Sequence, residues 1–487
     1  MLYNRLKIIS ETKPNSIALV IDHERITYRD FLAEVNKLVA GFKKLGLSPG
    51  TSLSIMLEKN EVIWAAVIAA SYLGVSVMLV DPNLKEQEKK QILEMYRTTY
   101  ELQAVNCLSS SESCGDAVLT FSCFNDNFSL LNRGKAAECW SEYSIESSNH
   151  SYIVLLTSGS TKVPSAVVKT VESVVGDGER IGRSLGIGPS DQVICVAPVY
   201  HAFGLICGCF ASFMSGAAVS FVGPYTLPSA LESRVRDISA TILMALPVHY
   251  KLLVQHVEQP FYHIRFALSS TAPLPKELLQ ACKDKLNLSI HNIYGSSEAG
   301  GISIKRNDIV DGLTSNVGQP IEGVQIKFDM SNSVEVDGKI VGELLINSPS
   351  LAKGYLKSHL DMDSFFLEDG WWRTGDLAYL NERDELNIAG RVNITINVNG
   401  KKVNPYEIEE ILSKHPAIAE TVVVGRPDEK RGEIPVAFVV LKEHISEQEI
   451  LKFCYQKLSH YKVPRRIEFR EELPKTSAGK VRRREVN

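Results

Sequence analysis

The feature that most constrains this chain is a recurring pair of patterns. Short β-rich apolar runs, each ending in a loop of Gly, Ser, Thr or Pro, alternate with helical patterns through most of the chain. Tyr152–Leu156, Val193–Ala197, Ala218–Val222, Thr241–Leu246, Ile264–Leu268 and Ser289–Ile293 all read this way. Buried strands separated by helices predict an α/β fold of mainly parallel sheets flanked by helices. In such sheets ligands sit beyond the carboxyl ends of the strands, so the loops after these runs are where chemistry is expected.

From about Gly342 the pattern changes. Val341–Ile346 and Leu377–Ile388 read as strands of a more antiparallel, β-rich region. After Gly390-Arg391 follow a turn rich in Lys and Asn, a helix over Tyr406–Leu412 and strands at Val422–Val424 and Val436–Val440. Ser446 with Glu449 forms a capping box ahead of a helix over Ile450–Leu458. At 487 residues the chain exceeds what one core usually holds. We therefore expect a large domain over 1–390 and a small α+β domain over 391–487.

Lys+Arg total 53 and Asp+Glu 57, which gives no global attraction to nucleic acid. The basic tail from Lys480 to Arg484 reads as a solvated cluster. No window reaches the ~20 apolar residues of a membrane span. The richest stretch, Val193 to Val222, is broken by Pro198, His201 and glycines, and reads as strand, loop and buried helix. Nine cysteines without a repeated spacing fit a reduced, cytoplasmic setting, with Cys207 and Cys209 as core residues and not metal ligands.

Five segments carry chemistry. Thr157-Ser158-Gly159-Ser160-Thr161 follows a strand; hydroxyls around a glycine let the backbone approach a phosphate. Tyr294-Gly295-Ser296-Ser297-Glu298 places a carboxylate among hydroxyls, which suits Mg²⁺ shared with phosphate oxygens. Gly370 to Leu377 holds Asp376 in a turn, where it can accept from a ribose diol. Gly390-Arg391 precedes Gly400-Lys401, and Pro474 to Lys480 ends the series with a lysine after a small-residue turn. Each alone also reads as an ordinary loop.

In this order, the five resemble the motifs of the adenylate-forming superfamily: acyl- and aryl-CoA synthetases, peptide-synthetase adenylation domains and luciferases. The resemblance runs from Thr27-Tyr28 to Lys480 and includes Asp81-Pro82, Pro198 to Leu205, Gly342-Glu343-Leu344 and Gly354-Tyr355. It implies that ATP, Mg²⁺ and a carboxylic acid give an acyl-adenylate and pyrophosphate. A thiol, that of coenzyme A or of a carrier-protein phosphopantetheine, then displaces AMP after the small domain has swung. The resemblance further implies that Thr157, Ser158, Gly159, Ser160 and Thr161 hold the ATP phosphates. Ser297 contacts the α-phosphate, Glu298 with Thr161 holds the Mg²⁺, and Tyr294-Gly295 lies against the adenine near Ser270, Thr271 and Ala272. Asp376 takes the ribose hydroxyls with Arg391 close by. Lys480 bridges carboxylate and phosphate oxygens, a task for a mobile point charge. Asn393, Gly400 and Lys401 belong to the hinge and thiol tunnel, and His201 lies between that tunnel and the acyl pocket.

The chain departs from the family in two places. After the hydroxyl cluster the family's Gly, Lys and Gly are Lys162, Ser165 and Ala166, so that Lys162 or Lys169 is left to supply the missing charge. We expect Lys162→Ala to raise the KM for ATP; an unchanged KM would show that Lys162 does not substitute. At the hinge, Asn393 and Asn397 stand where Asp or Lys is usual, and asparagine tolerates unusual backbone angles. A pocket wall of Tyr200, Phe203, Met244, Pro247, Ser269 and Thr271 is mostly apolar, and Ala202-Phe203-Gly204 lacks the aspartate that grips an amino acid. An aliphatic or aryl acid is the expected substrate, and an acyl carrier protein the alternative acceptor. Dimers are common among such enzymes, but nothing in the sequence marks an interface. A non-catalytic nucleotide-binding relative is the rival reading, against which stand Glu298, Asp376 and Lys480.

Overall fold

The computed structural model describes residues 1–104, 118–140, 151–157, 164–306, 315–336, 339–356, 365–367, 369–394, 396–398, 401–428, 431–475 and 481–486. It divides into two compact units. The first comprises Met1–Gly312, Pro320–Val324 and Asn347–Phe366; the second Leu313–Gln319, Gln325–Ile346 and Leu367–Asn487.

The first unit is built on two sheets flanked by helices. One runs in the order Gly300–Lys305, Ile290–Ser296, Phe266–Ser269, Ile242–Ala245, Gln192–Cys195, Ala218–Phe221, Ile17–Ile21, Glu24–Thr27. Its interior pairings are parallel, and antiparallel strands close its two ends within this unit. The other runs Gly354–Tyr355, Ser165–Thr170, Tyr152–Thr157, Ser76–Leu79, Ser52–Met56, Tyr100–Ala104, Asp126–Asn132, Val118–Cys123, parallel only at its centre. The largest apolar cluster joins Leu53 and Val77 of this sheet to Val193, Met244 and Leu268 of the first. Helix Asn60–Tyr72 is buried from Asn60 to Ala70 and accordingly shows no polar face. Helix Tyr28–Leu45 starts at a capping box in which Thr27 and Asp30 exchange hydrogen bonds.

The predicted strands and the apolar stretch after Val193 appear as read. Strand Gln192–Cys195 leads through a turn to Phe203–Ala211, then to strand Ala218–Phe221. Phe203–Ala211 is a π-helix, a wider coil than an apolar run announces. Gly204 permits it: a Cβ there would lie 2.1 Å from the Pro198 carbonyl oxygen. Cys207 and Cys209 are buried free thiols in this coil. Among the described residues no helix is long and apolar enough to cross a membrane.

The second unit holds an antiparallel β region and a small α+β layer. In the β region, Gln325–Val336, Lys339–Asn347, Trp372–Leu380, Leu386–Arg391 and Asn316–Pro320 are neighbours in that order. The run read over Leu377–Ile388 is thus parts of two strands. They are joined by a turn in which the Asn381 side chain accepts from the amides of Arg383 and Glu385. The small layer orders Lys401–Val403, Ile396–Val398, Gly432–Leu441 and Ile418–Asp428, with Arg466–Arg470 parallel to Gly432–Leu441. Helices Pro405–Ser413 and Glu447–Tyr455 pack through Ile408, Leu412, Ile450 and Cys454 into its core. The Ser446–Glu449 capping box forms as expected.

Candidate active site

In the first unit the loops predicted to carry chemistry follow the parallel strands. Ser270 leaves strand Phe266–Ser269, and its hydroxyl donates to the Ile293 carbonyl at 3.0 Å, tying the Ser270–Ala272 loop to the strand that bears Tyr294. Thr271 has φ +76°, a left-handed conformation that a β-branched residue rarely adopts, and its buried hydroxyl has no hydrogen-bond partner among the described residues. Such strain costs on the order of 1–3 kcal/mol. Thr271→Gly is therefore expected to stabilise the folded chain by about 1 kcal/mol, read as a higher thermal midpoint beside wild type. An equal or lower midpoint would show that the side chain returns more in contacts than the backbone loses.

Tyr294-Gly295-Ser296 ends strand Ile290–Ser296, and an antiparallel partner, Gly300–Lys305, returns at once. The tight turn between them carries Ser297 and Glu298, with the Ala299 amide donating to Ser296 Oγ at 3.0 Å. Glu298 is gripped twice. The Tyr355 hydroxyl donates to its carboxylate at 3.0 Å. Its carbonyl accepts from the Ala352 amide at 2.7 Å and from Lys169 Nζ at 3.3 Å. Gly300, at φ +73°, lies against Asp177, whose Oδ2 would sit 2.0 Å from an added Cβ. Asp177 accepts from the Gly301 amide at 3.1 Å.

Lys169 is wholly enclosed. Its ammonium is committed to the carbonyls of Glu298 and Ser350, the latter at 2.5 Å. Burial pulls the Lys169 amine down to about 8, opposed by the Asp177 and Glu298 carboxylates. Burial likewise pushes Asp177 up, with Lys169 the largest opposing influence. Arg180 of the same helix as Asp177 donates to the Ser350 hydroxyl. Asp177 is marked by no motif, and the sequence offered Lys169 only as a stand-in for the missing charge. The one local sign is a charged residue inside the apolar strand Ser165–Thr170.

Around the expected acyl pocket, Tyr200, Phe203 and Met244 share one apolar cluster. His201 follows a turn in which its amide donates to the Pro198 carbonyl at 3.1 Å, and its ring meets Tyr200 edge-on at 4.9 Å. Burial, with the Asp81 carboxylate adding to it, holds the Tyr200 phenol protonated far above its ordinary range. Pro247 opens helix Pro247–His256 just beyond strand Ile242–Ala245. Strand alternation separates Ser269 from this group. Leu268 and Met244 face the cluster holding Tyr200, whereas Ala267, Ala245 and hence Ser269 belong to the opposite face. Ser269 is buried there beside Asn292, its register partner, and each side chain holds an oxygen with no partner among the described residues.

In the second unit Asp376 and Arg391 are register partners on adjacent strands, and Arg391 Nε donates to Asp376 Oδ1 at 2.6 Å. Gly375, at φ +72°, forms the bend ahead of Asp376, whose amide donates to Thr374 Oγ1 at 2.9 Å. Asn404 donates from its amide group to the Ala389 carbonyl and accepts from the Tyr406 amide, so one side chain ties the Gly390-Arg391 segment to the start of helix Pro405–Ser413. The chain end is anchored on both sides of 476–480. Lys475 pairs with Glu420 at 2.6 Å and bridges to Val481, and Arg483 grips Glu409 at 2.6 Å across the face of Tyr406. Ser158, Gly159, Ser160, Thr161, Lys162, Gly400 and Lys480 lie outside the described residues, as do the side chains of Asn393 and Lys401. Thr157 ends its strand with its hydroxyl donating to the Ser165 carbonyl at 3.4 Å.

The residues present fit a magnesium ion that is shared with phosphate. Mg²⁺ keeps several waters and takes one or two carboxylates plus substrate oxygens. Glu298 is a half-buried hard oxygen donor held by Tyr355. Among the described residues no three His, Cys, Asp or Glu side chains gather into a cage of their own.

The AMP-binding enzyme family matches residues 7–356, and the AMP-binding enzyme C-terminal domain matches 407–480. The chain belongs to this family, the adenylate-forming enzymes, and so is an enzyme that handles AMP. Similar proteins include the 2-succinylbenzoate–CoA ligase of Bacillus cereus, 27% identical over 480 residues covering 97% of this chain and 95% of that one. The ligase of the same name from Bacillus anthracis is 27% identical over 495 residues, 99% and 97% of the two chains. Among solved structures, the o-succinylbenzoate CoA synthetase MenE of Bacillus subtilis bound to its acyl-adenylate intermediate has a TM-score of 0.82 at 23% identity, covering 99% of this chain and 98% of that one. ATP-bound MatB of Rhodopseudomonas palustris has a TM-score of 0.82 at 20% identity, covering 99% and 98%. These structures establish the shared fold.

Proposed function

We propose that this enzyme uses ATP and Mg²⁺ to convert a carboxylic acid into its acyl-adenylate, releasing pyrophosphate, and then transfers the acyl group to the thiol of coenzyme A. The observation that carries the reading is the Glu298 turn: a carboxylate on a tight β-turn, locked through its own carbonyl by Ala352 and Lys169 and through its side chain by Tyr355. A carboxylate attacking a phosphate brings two anions together, so the site must neutralise charge and fix geometry more than move protons. Magnesium supplies charge neutralisation on the phosphate oxygens, and Glu298 is the residue that holds it, with Thr161. Ser297 contacts the α-phosphate. Thr157 to Lys162 hold the phosphates, and Tyr294, Gly295, Ser270, Thr271 and Ala272 the adenine. Asp376, with Arg391 against it, takes the ribose. Lys480 draws the two reacting anions together.

The acid is aryl or aliphatic, with the aryl class favoured by relatives named for 2-succinylbenzoate. Tyr200, Phe203, Met244 and Pro247 line its pocket, Thr271 borders it, and His201 stands between it and the thiol; Ser269, on the other face of its strand, is not part of it. The domains move as 1–390 and 391–487 about Asn393, with Gly400 and Lys401 bordering the thiol path. The enzyme works in the cytoplasm on a small-molecule acid.

The test of the acceptor is direct. Thioester formation is measured with ATP, 2-succinylbenzoate or another acid that supports adenylation, and coenzyme A as the sole thiol. Acyl-CoA is expected. Adenylate formation without acyl-CoA would instead point to a phosphopantetheine on a carrier protein.

A further inference from the structure

The buried charges of the first unit converge on the turn that carries Glu298. Lys169 is fully buried, and its ammonium donates to the carbonyls of Glu298 and Ser350. Those two residues lie on separate segments: the Ser296–Ala299 turn, and the stretch that supplies Ala352 and Tyr355 to Glu298. Asp177, also fully buried, takes the amide of Gly301 just past the turn, and Arg180 holds the Ser350 hydroxyl. Ser350 in turn donates its amide to Ser348 Oγ, and the Ser348 hydroxyl reaches the Ala299 carbonyl at 3.4 Å.

A fully buried ammonium needs both charge and hydrogen-bond partners. Here most of its partners are main-chain carbonyls, which an apolar side chain of similar volume would leave unsatisfied. Ordinary core packing gives no reason to place a lysine here. A clamp between two loops does, because several donors on one cation can fix two backbones at once.

We infer that Lys169 is a positioning residue for adenylation: by joining the carbonyls of Glu298 and Ser350 it fixes the turn that presents the Glu298 carboxylate. Asp177 and Arg180 complete the clamp, the first from the far side of the turn and the second through Ser350. The inference rests on the proposed role of Glu298 in adenylation but not in thiol transfer.

The test uses the full-length enzyme with Lys169→Met, and with Lys169→Met/Asp177→Asn, which removes both buried charges and so keeps the core neutral should the single variant fail to fold. Three quantities are read: acid-dependent pyrophosphate exchange, transfer from supplied acyl-adenylate to coenzyme A, and hydrogen exchange at the Ser296–Ala299 amides. We expect pyrophosphate exchange to fall about thirtyfold, as small displacements of a reacting geometry do. Transfer should stay within about threefold of wild type, and the turn amides should exchange faster. Equal losses in both half-reactions, or turn amides exchanging as in wild type, would overturn the inference. A wild-type enzyme that forms no adenylate with any acid would instead sink the functional reading, while the amide measurement still decides whether the clamp exists.

Discussion

Replacing Lys480 with alanine should slow acyl-adenylate formation on the order of a thousandfold, ~4 kcal/mol of barrier, and leave thioester formation from supplied acyl-adenylate within a few-fold of wild type. The reasoning is electrostatic. A carboxylate and the ATP α-phosphate repel each other, and a desolvated cation between them acts more strongly in the transition state, where they are closest, than in the ground state. The chain on either side of 476–480 is firmly anchored. Lys475 pairs with Glu420 and bridges to Val481. The Arg482 amide donates to Pro474, and Arg483 is locked between Glu409, the Val423 carbonyl and the ring of Tyr406. Rapid-quench measurement of the two half-reactions checks the result. An equal loss in both would mean that Lys480 supports the fold and not the first chemical step.

Replacing Glu298 with glutamine should lower adenylation about a hundredfold, ~2.7 kcal/mol, and raise the Mg²⁺ concentration that gives half-maximal rate. Glutamine keeps the shape and still accepts from Tyr355, but it removes the charge that a hard divalent cation requires. The turn is held through the Glu298 main chain, by Ala352 and Lys169, so its position should survive the change. A titration of rate against Mg²⁺ distinguishes this from a folding defect. A lower rate with an unshifted Mg²⁺ requirement would contradict the assignment.

How much of this was legible in the sequence follows from what each signal depends on. The parallel core could be read because strands such as Ile242–Ala245 and Phe266–Ser269 are short, wholly apolar and bounded by loop residues. The loops that close on chemistry could be found because they must follow those strands. Three features were out of reach. The π-helix at Phe203–Ala211 hides in an apolar run whose hydrogen-bond register has no sequence signature. The side of the sheet that Ser269 occupies depends on strand phase, and as the last residue of strand Phe266–Ser269 it falls on the face opposite Leu268. The clamp is the third. Lys169 and Asp177 lie far along the chain from Ser350 and the Glu298 turn, and nothing local announces that the fold will enclose them together. Where local patterning decides the structure the sequence speaks plainly; where distant partners satisfy a buried charge it does not.

The central claim is that this chain makes acyl-adenylates. ATP–pyrophosphate exchange across a panel of aryl and aliphatic carboxylic acids, 2-succinylbenzoate among them, tests it most directly. The account predicts Mg²⁺-dependent exchange that requires one class of acid and disappears in Lys480→Ala. Protein that binds ATP yet exchanges no pyrophosphate with any acid would contradict it.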